Sequence, residues 1–139
     1  MTLFARLSCL AAILSVAAVA CRQAPDAAPL KELQKVKSGD AEVVLLAKSD
    51  ALAQGKDSFV LEFRSADGSL RDVGTVRANA TMVMAGMAPM FGNVNVRPGD
   101  APGRYEVTSD FGMAGTWQIN VEWQGPAGMG SAILRGAVR

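Results

Sequence analysis

The sequence contains no histidine, and its two cysteines, Cys9 and Cys21, both precede the part of the chain that is patterned as a folded domain. That part therefore has no imidazole to act as a general base and no thiol to act as a nucleophile. It also has no glycine-rich loop that follows a strand and opens a helix, and no tight pair of carboxylates. We find no basis for catalysis and predict that the protein is not an enzyme.

An excess of charge is also missing. The chain has 14 basic and 13 acidic residues, and Arg6 is the one charged residue of the first twenty, so residues 21–139 carry 13 of each sign. A chain balanced in this way offers no basic stripe for a phosphate backbone. We therefore predict no nucleic-acid partner.

The first twenty residues have the layout of a secretory signal peptide. Arg6 precedes the apolar stretch LSCLAAILSVAAVA, which ends in small residues and is too short and alanine-rich for a membrane span. The small residues 18–20 before Cys21 resemble a bacterial lipobox, which predicts a lipidated Cys21 at the start of the mature chain. Cleavage that leaves an unlipidated soluble protein is the alternative. Residue 22, directly after the cysteine, is an arginine. An aspartate at this position would favour retention in the inner membrane, so Arg22 favours the outer membrane of a Gram-negative envelope, with the domain facing the periplasm.

A polar segment follows the signal peptide. Residues 21–40 contain two prolines and no sustained apolar period, which predicts a flexible tether that begins at the lipidated cysteine. Residues 30–36, LKELQKV, are long enough for only a turn or two of helix, which is marginal in isolation. We predict that the folded domain covers residues 41–139.

From residue 41 the chain is patterned as β-strands. Apolar and polar residues alternate with a period of two, and Gly, Pro and Asp interrupt the alternation every 8 to 15 residues. The clearest case is residues 115–123, where two tryptophans, an isoleucine and a valine fall on one face. The pattern predicts an all-β fold, an immunoglobulin-like antiparallel β-sandwich of about seven strands. The predicted strands are 41–47, 58–65, 74–84, 93–96, 104–111, 115–123 and 131–139.

Methionine is concentrated in one stretch. The segment MVMAGMAPMFG, residues 82–92, holds four of the seven methionines. Alternation along the strand 74–84 places Met82 and Met84 on its apolar face, so we predict core positions for them in preference to a ligand role. Met87 and Met90 lie in a segment with glycine and proline that should leave the sheet as a loop, where ligand and packing roles both remain open.

Strand direction predicts the neighbours of this loop. If consecutive strands alternate in direction, the loop with Met87 and Met90 shares one end of the sandwich with Met113, while Met129 lies at the opposite end. This placement of Met113 requires a strand at 93–96, since a loop there would move Met113 to the far end. Phe91 and Phe111, which neighbour these methionines in sequence, would either shield a bound ion or cap the core.

The chemistry of methionine selects the ion. A thioether is a soft, neutral donor that suits Cu(I) and Ag(I) and competes poorly for harder divalent cations. It carries no proton near neutral pH, so a thioether site keeps its ligands in acid. Three converging thioethers would form a trigonal site. We predict a Cu(I) or Ag(I) site formed by Met87, Met90 and Met113, with Met82 and Met84 as less favoured ligands.

Several segments together resemble the YtkA-like family. They are GKDSFVLEFRSADGSLRDVGTVRANATM, MVMAGMAPMFG, PGRYEV and GMAGTWQINVEW, and the resemblance extends over residues 41–138. Domains of that family are small exported β-sandwiches, found alone or appended to periplasmic adaptor subunits of CusB-type copper/silver efflux systems. The resemblance implies heavy-metal handling in the cell envelope, with efflux or copper-delivery proteins as partners and membrane contact through the lipid anchor only. Family members often alternate methionine and proline in the loop, whereas this chain keeps one proline and has Phe91 in place of the last methionine.

Two other functions remain open. The methionine-rich rim would also serve as an adaptable apolar surface of a protein–protein docking module, because flexible methionines suit promiscuous contacts. A purely structural envelope domain would instead bury Met87 and Met90 at the base of the loop.

Overall fold

The computed structural model describes residues 28–139, so the predicted signal peptide and the predicted lipidation of Cys21 lie outside the described residues. All regular secondary structure in this range is β-strand, and the range has no helix long and apolar enough to cross a membrane. The eight strands are β1 (Lys31–Ser38), β2 (Ala41–Ala47), β3 (Gly55–Arg64), β4 (Thr75–Met82), β5 (Met90–Pro98), β6 (Arg104–Phe111), β7 (Gly115–Gly125) and β8 (Gly128–Val138).

Every neighbouring pair of strands is antiparallel, in the order β1-β2-β3-β6-β5-β4-β7-β8. Strand β5 belongs to two layers, because Met90–Gly92 pair with β4 and Asn93–Pro98 pair with β6. The two layers enclose one hydrophobic core. The predicted all-β, immunoglobulin-like sandwich is confirmed, with eight strands where about seven were predicted.

Period-two alternation accounts for the core. Trp117, Ile119 and Val121 of β7 are fully buried, as the pattern predicted, and Trp123 follows on the same face. The ring of Trp123 meets the ring of Phe63 from the opposite layer edge-on, with centroids 5.2 Å apart. Aromatic contact of this kind adds to the burial energy that holds the two layers together.

Strand β1 corrects the predicted tether. The prediction of a flexible tether over 21–40 is wrong for Lys31–Ser38, which pair with β2. The register shifts between Glu32 and Gln34, so a β-bulge at Leu33 interrupts the alternation. Leu33 and Val36 both pack against the core despite being three residues apart. That spacing does not match a strand pattern, which is why the sequence did not reveal the strand.

Strand directions fix which loops lie together. From β2 to β8 each strand runs opposite to the one before it, and 93–96 is part of a strand, as the prediction required. The loops 48–54, 83–89 and 112–114 therefore lie at one end, which we call the upper end, and the β7–β8 turn lies at the lower end. Strand β1 begins at the upper end, because Lys31 pairs with Ala47.

Candidate functional site

Two methionines face each other across the β4–β5 hairpin. Met82, the last residue of β4, is directly opposite Met90, the first residue of β5. Directly opposed residues of an antiparallel pair project from the same face, with Cβ atoms about 4.5–5.5 Å apart. Met82 is 4% exposed, and Met90 is partly buried against the same core.

The placement of Met90 differs from the prediction. We predicted a loop residue before a strand at 93–96, whereas β5 already begins at Met90. Thr81 pairs with Phe91 and Ala80 pairs with Gly92, so the pairing of β4 with β5 continues from residue 92 to the upper end. A methyl group at position 92 would lie only 3.2 Å from the ring of Trp117, so glycine lets the hairpin approach the core closely at this point.

The β6–β7 loop lies beside this methionine pair. A methyl group at Gly112 would be 3.7 Å from Cε of Met90, and one at Gly115 would be 2.8 Å from Sδ of Met82. Met113 is between these two glycines and is itself partly buried against the core. The structure therefore brings Met82, Met90 and Met113 to the upper end from two neighbouring connections.

Buried aromatic rings lie beneath the loop. The indole N–H of Trp117 donates a hydrogen bond to the carbonyl oxygen of Met113, at 3.0 Å. The rings of Trp117 and Phe111, both fully buried, are 5.1 Å apart. Phe111 thus caps the core at this end. Phe91, in contrast, is 78% exposed, because its partner Thr81 lies on the outer face of β4, opposite to Met82.

The other methionines differ in position. Met84 is partly buried just beyond β4, and its carbonyl oxygen accepts a hydrogen bond of 3.2 Å from the backbone N–H of Met87. Gly86 between them adopts a φ of 76°, which favours glycine and lets the turn form. Met87 is 63% exposed at the tip, so the structural reading that buries it at the loop base is not supported. Met129, in β8, lies at the lower end, as predicted.

Charged side chains are absent from the part of the hairpin nearest its tip. Residues 78–96 contain none, and Arg77 and Arg97 flank the segment. Across residues 28–139, no three His, Cys, Asp or Glu side chains are grouped so as to hold a metal ion. At the upper end the nearest titratable group with a shifted pKa is Asp50, whose pKa is lowered by a hydrogen bond from Lys31 and by its positive charge.

The sequence pattern favoured Met87 over Met82 as a candidate ligand, and the two residues differ in their surroundings. Met82 directly opposes Met90, whereas Met87 points to solvent at the tip. The close approach of Gly115 to Met82 was the feature that the sequence did not disclose, although the paired glycines around Met113 were visible there.

Comparison with known proteins adds two findings. A family model described as YtkA-like matches residues 35–122, a range that contains both the hairpin and the β6–β7 loop. A solved structure titled "Crystal structure of the Lin-41 filamin domain" is 12% identical and covers 76% of this chain and 98% of that one, with a TM-score of 0.46. No curated protein is significantly similar to the chain.

Proposed function

The chain belongs to the YtkA-like family, and on that premise we propose that it is an exported lipoprotein whose domain binds Cu(I) or Ag(I) through thioethers at the upper end. Its place would be in heavy-metal efflux or copper delivery in the cell envelope. The observation that carries the proposal is the opposed pair Met82 and Met90 beside the loop that holds Met113.

The donor chemistry favours a monovalent soft ion. The upper end offers four partly or fully buried thioethers, those of Met82, Met84, Met90 and Met113, together with backbone carbonyl groups, and residues 78–96 carry no charge. Thioethers bind Cu(I) and Ag(I) in preference to Zn(II), Mg(II) or Ca(II). We accordingly propose Met82, Met90 and Met113 as the ligands, in place of the set that the sequence favoured.

The surroundings support a preformed site. Met82 is held between the core and Gly115, and the backbone of Met113 is fixed by the indole of Trp117. Ligands held by packing lose little freedom on binding, which favours affinity. Met87, exposed on the same hairpin, is suited to exchanging the ion with a partner before or after it occupies the buried site.

A titration tests the proposal. The purified protein, titrated with Ag(I) or with Cu(I) against a competing Cu(I) chelator, is expected to bind one ion per chain. Changing Met82, Met90 and Met113 together to Leu should abolish binding while conserving core volume, since such exchanges usually cost under about 1.5 kcal/mol each. Met129→Leu, at the lower end, is the matched control and should bind as the wild type does.

The pH dependence gives a second readout. Because thioethers carry no proton, affinity is expected to be unchanged between about pH 7 and about pH 3.5, a range over which carboxylates with pKa values near about 4 lose their charge. A triple variant that binds like the wild type, with a melting curve showing that it is folded, would show that these residues are not the site. A steep loss of affinity in acid would point to carboxylate ligands instead.

The exposure of Met87, together with that of Val83 and Phe91, favours a second candidate function. A docking module with a methionine-rich rim predicts that the wild type binds neither ion. It also predicts that a purified envelope protein binds the wild type but does not bind a Met87→Ser variant.

A further inference from the structure

The tip of the β4–β5 hairpin exposes apolar side chains that are not among the three proposed ligands. Val83 is 66% exposed, Met87 is 63% exposed and Phe91 is 78% exposed. The segment that carries these side chains, residues 78–96, contains no charged residue. A contiguous apolar surface on a soluble domain marks a contact with a protein or a membrane.

Alternation separates this surface from the thioethers. Met82 and Met90 project towards the core. Phe91, the next residue of β5, therefore projects away from it, and Val83, which directly follows β4, is exposed. The exposed side chains are therefore not required for packing or for the proposed ligand set, and their exposure needs a different explanation.

The point at which the chain enters the domain suggests what covers the tip. Strand β1 begins at the upper end with Lys31, ten residues after Cys21. Ten residues span at most about 35 Å. The eight residues of β1 run from the upper end towards the lower end over roughly 27 Å. A chain attached through Cys21 therefore has its upper end within about 35 Å of the membrane, and turning the lower end to the membrane would use most of that reach.

We propose that the hairpin tip formed by Val83, Met87 and Phe91 rests on the lipid bilayer to which Cys21 is attached, as a second membrane contact besides the lipid anchor. The inference rests on the lipidation in the proposed function. An uncharged apolar tip with an aromatic residue suits the boundary between headgroups and acyl chains. The thioether site, at the same end of the domain, then lies close to the membrane.

Site-specific labelling tests the proposal. The lipidated mature protein is reconstituted in vesicles of phosphatidylethanolamine and phosphatidylglycerol, with an environment-sensitive fluorophore on Ala88→Cys at the tip or on Ala127→Cys at the lower end. Both positions are exposed, and the mature chain has no other cysteine available for labelling when Cys21 is lipidated. The label at position 88 should shift to shorter emission wavelength and be quenched by bromolipids. The label at position 127 should do neither.

A matched variant separates this contact from metal binding. Val83→Thr with Phe91→Asn should remove the bromolipid quenching at position 88 and leave Ag(I) affinity unchanged, since neither residue faces Met82 or Met90. Equal quenching at both positions, or none at position 88, would overturn the inference. Shielding of position 88 that rises with protein density rather than with lipid would assign the tip to a second copy and would also overturn it.

The outcomes distinguish the two proposals. Mass spectrometry that finds no lipid on Cys21 removes the anchor and the membrane contact together. An unquenched label on lipidated protein overturns the contact alone, and a failure to bind Ag(I) with quenching intact overturns the metal site alone.

Discussion

Replacing Gly115 with alanine tests whether the β6–β7 loop fixes the position of Met82. Gly115 has a φ of 143°, a backbone conformation that side-chain-bearing residues rarely adopt. The added methyl group would also lie 2.8 Å from Sδ of Met82, well inside van der Waals contact. Gly112, on the other side of Met113, has no positive φ, and a methyl group there would make an ordinary 3.7 Å contact with Met90. The two glycines therefore form a matched pair.

The structure gives the size of the effect. The unfavourable φ costs of order 1–3 kcal/mol, and displacing a packed side chain costs about 1–3 kcal/mol, part of which Met82 recovers through its flexibility. We expect Gly115→Ala to lower the free energy of unfolding by about 2 kcal/mol or more. In a domain of this size that corresponds to a melting temperature lower by roughly 8 °C. Gly112→Ala should change the free energy of unfolding by less than about 0.5 kcal/mol.

Thermal and urea unfolding of both variants provide the assay, followed by Ag(I) titration below the melting temperature. Gly115→Ala is expected to weaken binding because it moves the sulfur of Met82, while Gly112→Ala should bind like the wild type. Equal stability of the two variants would refute the packing argument. Unchanged Ag(I) affinity in a clearly destabilised Gly115→Ala variant would remove Met82 from the ligand set.

Two predictions concern the lower part of the molecule. Burial, reinforced by the negative charge of Asp72, raises the pKa of Tyr105 above 10, so the folded state holds the phenol proton more tightly than the unfolded state. The resulting stability is complete below about pH 10 and is lost as the pH rises through the pKa of the folded state. In urea unfolding, Tyr105→Phe should flatten this alkaline decline, and it should cost about 1 kcal/mol at neutral pH because the 2.7 Å hydrogen bond to the carbonyl oxygen of Gly74 is lost. Parallel pH profiles of the two proteins would contradict the prediction. A methyl group at Gly130 would lie 2.3 Å from the indole of Trp123. Gly130→Ala should therefore destabilise by about 2–3 kcal/mol and alter tryptophan emission, and an unchanged spectrum would show that the indole does not occupy this space.

Alternation in the sequence predicted most of the fold. It placed seven strands near their observed positions, because Gly, Pro and Asp mark the turns and the inner faces carry large apolar residues. It missed β1, where the bulge at Leu33 shifts the side-chain period and the remaining residues are mostly charged or polar. A bulge is set by pairing with β2, and such pairing is not visible in a single strand's own pattern.

The same limit applies to the candidate site. Counting strand directions correctly placed Met113 at the upper end with the hairpin, since that needs only the number of strands. To choose between Met82 and Met87 as candidate ligands, one must know the residue at which β5 begins. That residue depends on how far the pairing of β4 with β5 continues. Placing the strand start at 93 left Met90 in a loop, where its pairing with Met82 was hidden.

The two roles proposed for the upper end follow from one property of the β4–β5 hairpin. A strand residue faces either the core or the outside, so adjacent positions acquire separate tasks without a change of backbone. Met82 and Met90 face the core, where packing orients thioethers towards the β6–β7 loop. Val83 and Phe91 face outwards, where the absence of charge over residues 78–96 suits contact with lipid. Substitutions on one face should therefore leave the function of the other face intact, and a variant of Phe91 that changed Ag(I) affinity would show that the two faces are coupled.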